Sequence, residues 1–163
     1  MTEIIRPMTP DDVDAIAGIY AHYVAQTVVT FDTQTPTPES MKQTLAPIMA
    51  HYPAYVCVAD GVLAGYCYAH PWKTRPAYNL TLETTIYLHP GHTSRGHGRK
   101  LLQRLIDECR RQEFHVLVAC ITMPNDASVA LHEALGFNRV SCFREVGRKF
   151  GRWLDVADYQ LIL

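Results

Sequence analysis

The side chains best placed to do chemistry lie between residues 80 and 102. Residues 80–88 alternate as a half-buried strand does. Leu80, Leu82, Ile86 and Leu88 fall on one face, and Thr81, Glu83, Thr85 and Tyr87 on the other. Glu83 is therefore a lone carboxylate on a strand face. Pro90 and Gly91 end the strand, and the turn Ser94-Arg95-Gly96-His97-Gly98-Arg99-Lys100 leads into a helix with apolar residues at 101, 102, 105, 106 and 109. Glycines at such a junction let backbone N–H groups approach an anion, and the helix dipole favours negative charge there. A carboxylate followed by an anion cradle suggests group transfer from a phosphate-bearing cofactor. The turn is neither a Walker loop, since no Gly-Lys-Ser/Thr follows, nor a dinucleotide fingerprint, since the third glycine is missing. Alone, Gly-x-Gly more often marks a plain turn and a strand-face Glu is more often solvated, so the rest of the chain decides.

The 163 residues suffice for one domain, spanning 1–163, with a substantial core. With 48% apolar and 19% charged residues and a net charge of −1, the composition is that of an ordinary globular protein without a nucleic-acid footprint. No stretch is long and apolar enough to cross a membrane. The N-terminal Met-Thr-Glu-Ile-Ile-Arg lacks the charged and apolar regions of a leader. The five cysteines form no Cys-x-x-Cys pair and fall in strand and helix interiors, which predicts buried, reduced thiols in a cytoplasmic protein. The eight histidines show no metal-ligand spacing, so no metal is expected.

Along the chain, residues 3–8 read as a strand, and Thr9-Pro10-Asp11-Asp12 as a strong helix start. Thr37-Pro38-Glu39 opens a second helix, in which Pro47 predicts a kink or an early end. Residues 55–59 and 62–70 form a hairpin about Asp60-Gly61. Residues 116–121 are a continuous apolar run, read as a strand buried on both faces. Pro124-Asn125-Asp126 begins a helix that Gly136 ends, and residues 137–163 read as two strands about a loop at 147–151. The order β-α-α-β-β-β-α-β-α-β-β predicts a mixed sheet with helices on its faces. Ligands of such sheets sit beyond the carboxyl ends of strands, where the turn at 94–98 would lie.

The turn Arg95-Gly96-His97-Gly98 after Ile86-Tyr87-Leu88, with Leu135-Gly136-Phe137 after a later helix, resembles the GNAT acyl-CoA N-acyltransferases. More narrowly, several stretches resemble the phosphinothricin and methionine sulfoximine N-acetyltransferases. They are Arg75-x-Ala77-Tyr78, Thr81-x-Glu83, Asn125-x-x-Ser128-x-x-Leu131-His132-Glu133-Ala134-x-Gly136-Phe137, and Val146-Gly147-x-Lys149-x-Gly151-x-Trp153-x-Asp155-Val156. The resemblance runs from about Ile4 to the C-terminus. It departs from the family at Thr93, where a Gln or Arg usually opens the turn.

The resemblance implies an α/β (α+β) fold: a mixed, mostly antiparallel seven-stranded sheet flanked by about four helices. It implies acetyl-CoA as donor, without a metal, an amine of a small amino acid as acceptor, and a homodimer. Glu83 is the expected base, since a protonated amine must lose a proton before it attacks. His132 is the expected acid for the departing thiolate. Ile86, Tyr87 and Leu88, on a strand bulged in the family, would meet the acyl-pantetheine arm and stabilise the attacked carbonyl. Ser94, Arg95, Gly96, His97, Gly98 and Arg99 would hold the pyrophosphate, and Asn125 and Ser128 the arm. Arg75 would grip the acceptor's carboxylate, with Phe31, Ala77 and Tyr78 walling its pocket. Two other readings keep the fold: a different acceptor, such as a polyamine, an antibiotic amine or a protein N-terminus, and an acyl-CoA-binding sensor without turnover.

Overall fold

The computed structural model describes residues 2–163. Its elements are β1 (Glu3–Pro7), α1 (Val13–Gln26), α2 (Pro38–His51), β2 (Ala54–Ala59), β3 (Val62–Pro71), β4 (Thr81–Leu88), α3 (His97–Arg111), β5 (Val116–Met123), α4 (Asp126–Ala134), β6 (Asn138–Lys149) and β7 (Arg152–Ile162). The seven strands form one sheet in the order β1-β2-β3-β4-β5-β7-β6. Every neighbouring pair is antiparallel except β4 with β5. The expected order and sheet type are those observed.

Local chemistry explains the boundaries. The Asp12 carboxylate accepts from the Thr9 backbone N–H at 2.8 Å and from both terminal guanidinium nitrogens of Arg6, at 2.7 and 2.8 Å. One buried side chain thus closes the capping box at the entry to α1 and ties it to β1. The Thr37 side chain accepts from Ser40 N–H at 3.1 Å and starts α2. Asp60 and Gly61 both have positive φ, 50° and 81°, as a two-residue hairpin turn requires.

Three expectations need correction. Pro47 does not end α2, which runs on to His51. Met41 and Leu45 before it are buried, and Ile48 and Met49 after it pack on the same core, which offsets the lost hydrogen bond. β5 is buried on both faces as expected, with Leu117, Ala119 and Ile121 on one and Val118 and Thr122 on the other, except at Cys120, which is exposed. Not all the thiols are inside: Cys57, Cys67 and Cys109 are buried, but Cys142, like Cys120, is exposed. The final loop is also shorter than expected. β6 continues to Lys149, and Phe150 and Gly151, with φ of 51° and 71°, make the turn.

Helices cover both sheet faces. α1 and α2 pack over Val56 and Tyr66. On the other face α3 buries Leu101, Leu102, Leu105, Ile106 and Cys109 against Cys67, Leu82, Leu117 and Ala119. The feature that matters for function lies in the middle of the sheet. β4 and β5 pair only from Thr81–Val116 to Glu83–Val118. Beyond that, β4 stays with β3 as far as Leu88, while β5 stays with β7 as far as Met123. The two strands diverge and leave a gap.

The Asp12 cap is the local device tested most simply. Asp12→Ala removes both the cap and the Arg6 pair, and should lower unfolding free energy by about 1–2 kcal/mol. Urea denaturation of the two proteins measures this.

Candidate active site

The gap between β4 and β5 opens into a cleft of about 840 Å³. Glu83 to Leu88 of β4 form one wall, Ala119 to Thr122 of β5 another, and Asn125, Ser128, Leu131 and His132 of α4 a third. The turn after β4 closes one end with Thr93, Ser94, Gly96, Gly98 and Arg99, and Val29, Thr30 and Phe31 close the other.

The turn is shaped to admit an anion. Ser94 and Gly96 have φ of 59° and 83°, so the backbone turns left-handed twice just before α3. A Cβ on Gly98 would lie 3.2 Å from a Leu88 methyl and 3.6 Å from Leu131, so glycine lets the start of α3 sit against β4. Arg95 and His97 do not line the cleft. Arg95 is exposed to solvent, and His97 is buried with its ring turned towards Cys57 and Glu3.

Of the arm-binding candidates, Ile86, Tyr87 and Leu88 lie along the open edge of the gap. The β3–β4 ladder runs without a register shift from Gly65–Leu88 to Pro71–Leu82, so the gap arises from divergence of β5 and not from a bulge on this ladder. Thr84, at the point of divergence, is buried with its hydroxyl unpartnered. Asn125 caps α4, accepting from Ser128 N–H at 3.3 Å, and keeps its amide donors free. The Leu88 carbonyl is already held by the Tyr23 hydroxyl at 2.6 Å.

Glu83 and His132 both face the cleft. The Glu83 carboxylate lies 3.7 Å from His70 Nε2, too far for a hydrogen bond that would occupy it. His132 is buried, with Nδ1 2.7 Å from the Ser128 carbonyl oxygen and 3.4 Å from its hydroxyl. A carbonyl only accepts, so Nδ1 carries the hydrogen and Nε2 of the neutral ring keeps a lone pair. Burial pushes the imidazole below its usual value, against a smaller opposite effect of that carbonyl. His132 therefore starts neutral, with Nε2 as the nitrogen free to take up a proton and hand it on. Cys120 also opens to the cleft, but desolvation first and Glu83 second push its thiol up and keep it protonated.

The acceptor end differs from expectation. Phe31 lines the cleft, but Arg75, Ala77 and Tyr78 do not. Their loop is folded on itself, with Lys73 Nζ 4.3 Å above the Trp72 ring and Tyr78 edge-on to Trp72 at 5.4 Å. Arg75 and Tyr78 bound a separate surface recess with Lys73 and Thr74. Sequence reasoning also passed over Lys149. It is buried, and its ammonium donates to the Thr30 carbonyl at 2.9 Å, fastening the segment that carries Phe31 to the β6–β7 hairpin. Burial pushes its ammonium below the usual lysine range. A lysine drawn inside next to Gly147, where a Cβ would overlap the Phe31 ring, is the signal that Val146-Gly147-x-Lys149 carried.

An acceptor carboxylate, a neutral imidazole and an anion cradle on one cleft suit acyl transfer to an amine. The acetyltransferase (GNAT) domain family matches residues 5–157. The chain belongs to this GNAT acetyltransferase family. It is 40% identical over 156 residues to the phosphinothricin N-acetyltransferase of Streptomyces viridochromogenes, covering 96% of this chain and 85% of that protein. It is 41% identical over 160 residues to the L-methionine sulfoximine/L-methionine sulfone acetyltransferase of Salmonella typhimurium, covering 98% and 94%. The fold matches a GNAT superfamily phosphinothricin acetyltransferase from Sinorhizobium meliloti in complex with acetyl-CoA, at a TM-score of 0.96 and 34% identity, covering 100% of this chain and 89% of that one.

The state of His132 has a measurable consequence. Its folded value lies below the roughly 6.5 of an unfolded His, so as pH falls through about 6.5 the unfolded chain takes up a proton that the folded chain refuses. No penalty exists above that pH, and it grows as pH falls towards the folded value. His132→Gln should therefore lose less stability than the parent between about pH 7 and about pH 5.5. Urea denaturation across that range measures the difference.

Proposed function

We propose that residues 1–163 form a single domain that moves an acetyl group from acetyl-CoA to the α-amine of a small amino acid of the phosphinothricin or methionine sulfoximine type. The observation that carries this reading is the gap between β4 and β5, which puts Glu83, His132 and the anion turn on one cleft. The activities for which the relatives are named support the acceptor class.

Bound there, acetyl-CoA supplies an activated thioester carbonyl. The chain's residues do the rest. Ser94, Gly96 and Gly98 offer backbone N–H groups to the pyrophosphate, and Arg99 adds charge. Residues 84–88 offer backbone hydrogen bonds to the acyl-pantetheine arm. A backbone N–H near Tyr87 or Leu88 stabilises charge on the attacked oxygen. Glu83 takes the first proton from the ammonium, directly or through a water, and the free amine attacks. The nitrogen sheds a second proton once the new C–N bond forms. His132 Nε2 accepts it and passes it to the departing sulfur. One proton remains for solvent, and the acetyl–sulfur bond is replaced by an acetyl–nitrogen bond.

At the acceptor end, Phe31 and the Lys149-held segment give the wall. Arg75 reaches the acceptor only if its loop leaves the recess it occupies or a partner chain delivers it. We further propose a homodimer. Val140, Phe143, Val146, Phe150 and Trp153 are all exposed on the β6–β7 hairpin, at the edge of the sheet, and form an apolar surface suited to a second copy. Among the described residues no helix is long and apolar enough to cross a membrane, and free thiols at five positions suit a reducing cytoplasm.

The test is free-thiol release from acetyl-CoA with a panel of amines. Methionine sulfoximine and phosphinothricin should turn over, while polyamines and a peptide N-terminus should not. Glu83→Gln, which cannot take the proton, should lower kcat/KM for the amino acids by at least about a hundredfold with acetyl-CoA affinity unchanged. Thiol release limited to peptides would replace the acceptor class, and wild-type rates in Glu83→Gln would make that residue structural.

A further inference from the structure

Away from the cleft, three elements remote in sequence bring together a carboxylate, a thiol and an imidazole. Glu3 lies on β1, Cys57 on β2 and His97 at the first position of α3. The β1–β2 register pairs Ile5 with Cys57 and Glu3 with Ala59, so Glu3 and Cys57 share the sheet face that α3 covers. Cys57 Sγ is 3.9 Å from His97 Nδ1 and 4.0 Å from Glu3 Oε1, and that oxygen is 3.5 Å from Nδ1. Among the described residues this is the only such group of three.

None of these contacts is short enough for a strong hydrogen bond. All three are close to the edges of a zinc tetrahedron. Metal distances of about 2.3 Å to sulfur and about 2.0–2.2 Å to nitrogen and oxygen give ligand separations of about 3.3–3.6 Å. Contraction by a few tenths of an ångström would close the site. The carboxylate is already aimed: Lys100 Nζ holds Glu3 Oε2 at 2.7 Å, leaving Oε1 pointed at the thiol and the ring. Such a partner behind a ligand is what orients metal sites. Cys57 and His97 are buried, while the Glu3 side chain is 23% exposed and offers the way in.

We propose that Glu3 Oε1, Cys57 Sγ and His97 Nδ1 bind one thiophilic divalent cation of the zinc type, with water completing the tetrahedron. The thiol loses its proton to solvent as the metal–sulfur bond forms. Thiolate and carboxylate together neutralise the dication, and a thiolate with an imidazole selects zinc over magnesium or calcium. His97 sits between Gly96 and Gly98, so the ion would tie the back of the anion turn to β1 and β2. This placement does not depend on which amine is acetylated.

The test uses the purified full chain without CoA, titrated with zinc against a chromophoric chelator and separately with cobalt(II). The parent should bind one ion per chain, and its cobalt form should show a near-ultraviolet thiolate-to-metal charge-transfer band. Cys57→Ser should abolish the band and weaken zinc by more than about tenfold. Glu3→Gln should weaken zinc by a similar factor while keeping the band, and it stands alone if the serine variant does not fold by circular dichroism. Absence of stoichiometric binding overturns the proposal. So does binding that either folded variant leaves unchanged, or a parent cobalt spectrum without the thiolate band.

Discussion

The parallel pairing of β4 with β5 covers Thr81 to Glu83 and then stops. Parallel partners hold each other through evenly spaced, slanted bonds, and nothing forces the pairing to continue once each strand has another neighbour. β3 holds β4 through Leu88, and β7 holds β5 through Met123. The two halves of the sheet can therefore separate without either strand losing its ladder on the far side. The separation leaves an open edge of backbone donors and acceptors inside the molecule, beside the start of a helix. An exposed edge is normally a liability. Here an extended, amide-bearing ligand would satisfy it.

Proton handling follows from the same geometry. The gap admits solvent next to Glu83 and keeps that carboxylate clear of strong partners. On another wall of the cleft, α4 buries His132 and uses its own Ser128 carbonyl to fix the ring's tautomer. The two groups are thus set up differently, one a carboxylate at the edge of water and the other a neutral relay in a drier wall. Cys120, which could compete as a nucleophile, is held protonated by its surroundings. At the far end the buried Lys149 fastens the Phe31 segment, a contact spanning 119 residues of chain.

What was legible in the sequence was short in range or repeated. Asp60-Gly61 announced its turn, Thr9 to Asp12 its helix, and Gly96 with Gly98 the close approach of α3 to β4. Glu83 and His132 were placed on a strand and a helix, and both reach the cleft. What the sequence could not disclose depends on distant partners. Cys120 is exposed because β4 leaves β5, and Pro47 is tolerated because residues on both sides of it pack on one core. The tautomer of His132 depends on a distance of 2.7 Å, although both residues lie in one motif. The 72–80 loop reads as a binding loop by composition, yet cation–aromatic contacts fold it onto itself. Glu3, Cys57 and His97 show no ligand spacing because three separate elements bring them together.

The central claim is that the open edge of β4 is where the acetyl donor pairs. Amide hydrogen exchange of the free protein and of its acetyl-CoA complex measures this directly. The account predicts that residues 84–88 and 94–99 gain protection together on binding, while the β3–β4 bonds on the other side of the strand change little. Acetyl-CoA binding that leaves residues 84–88 exchanging as before, with protection appearing elsewhere, would contradict it.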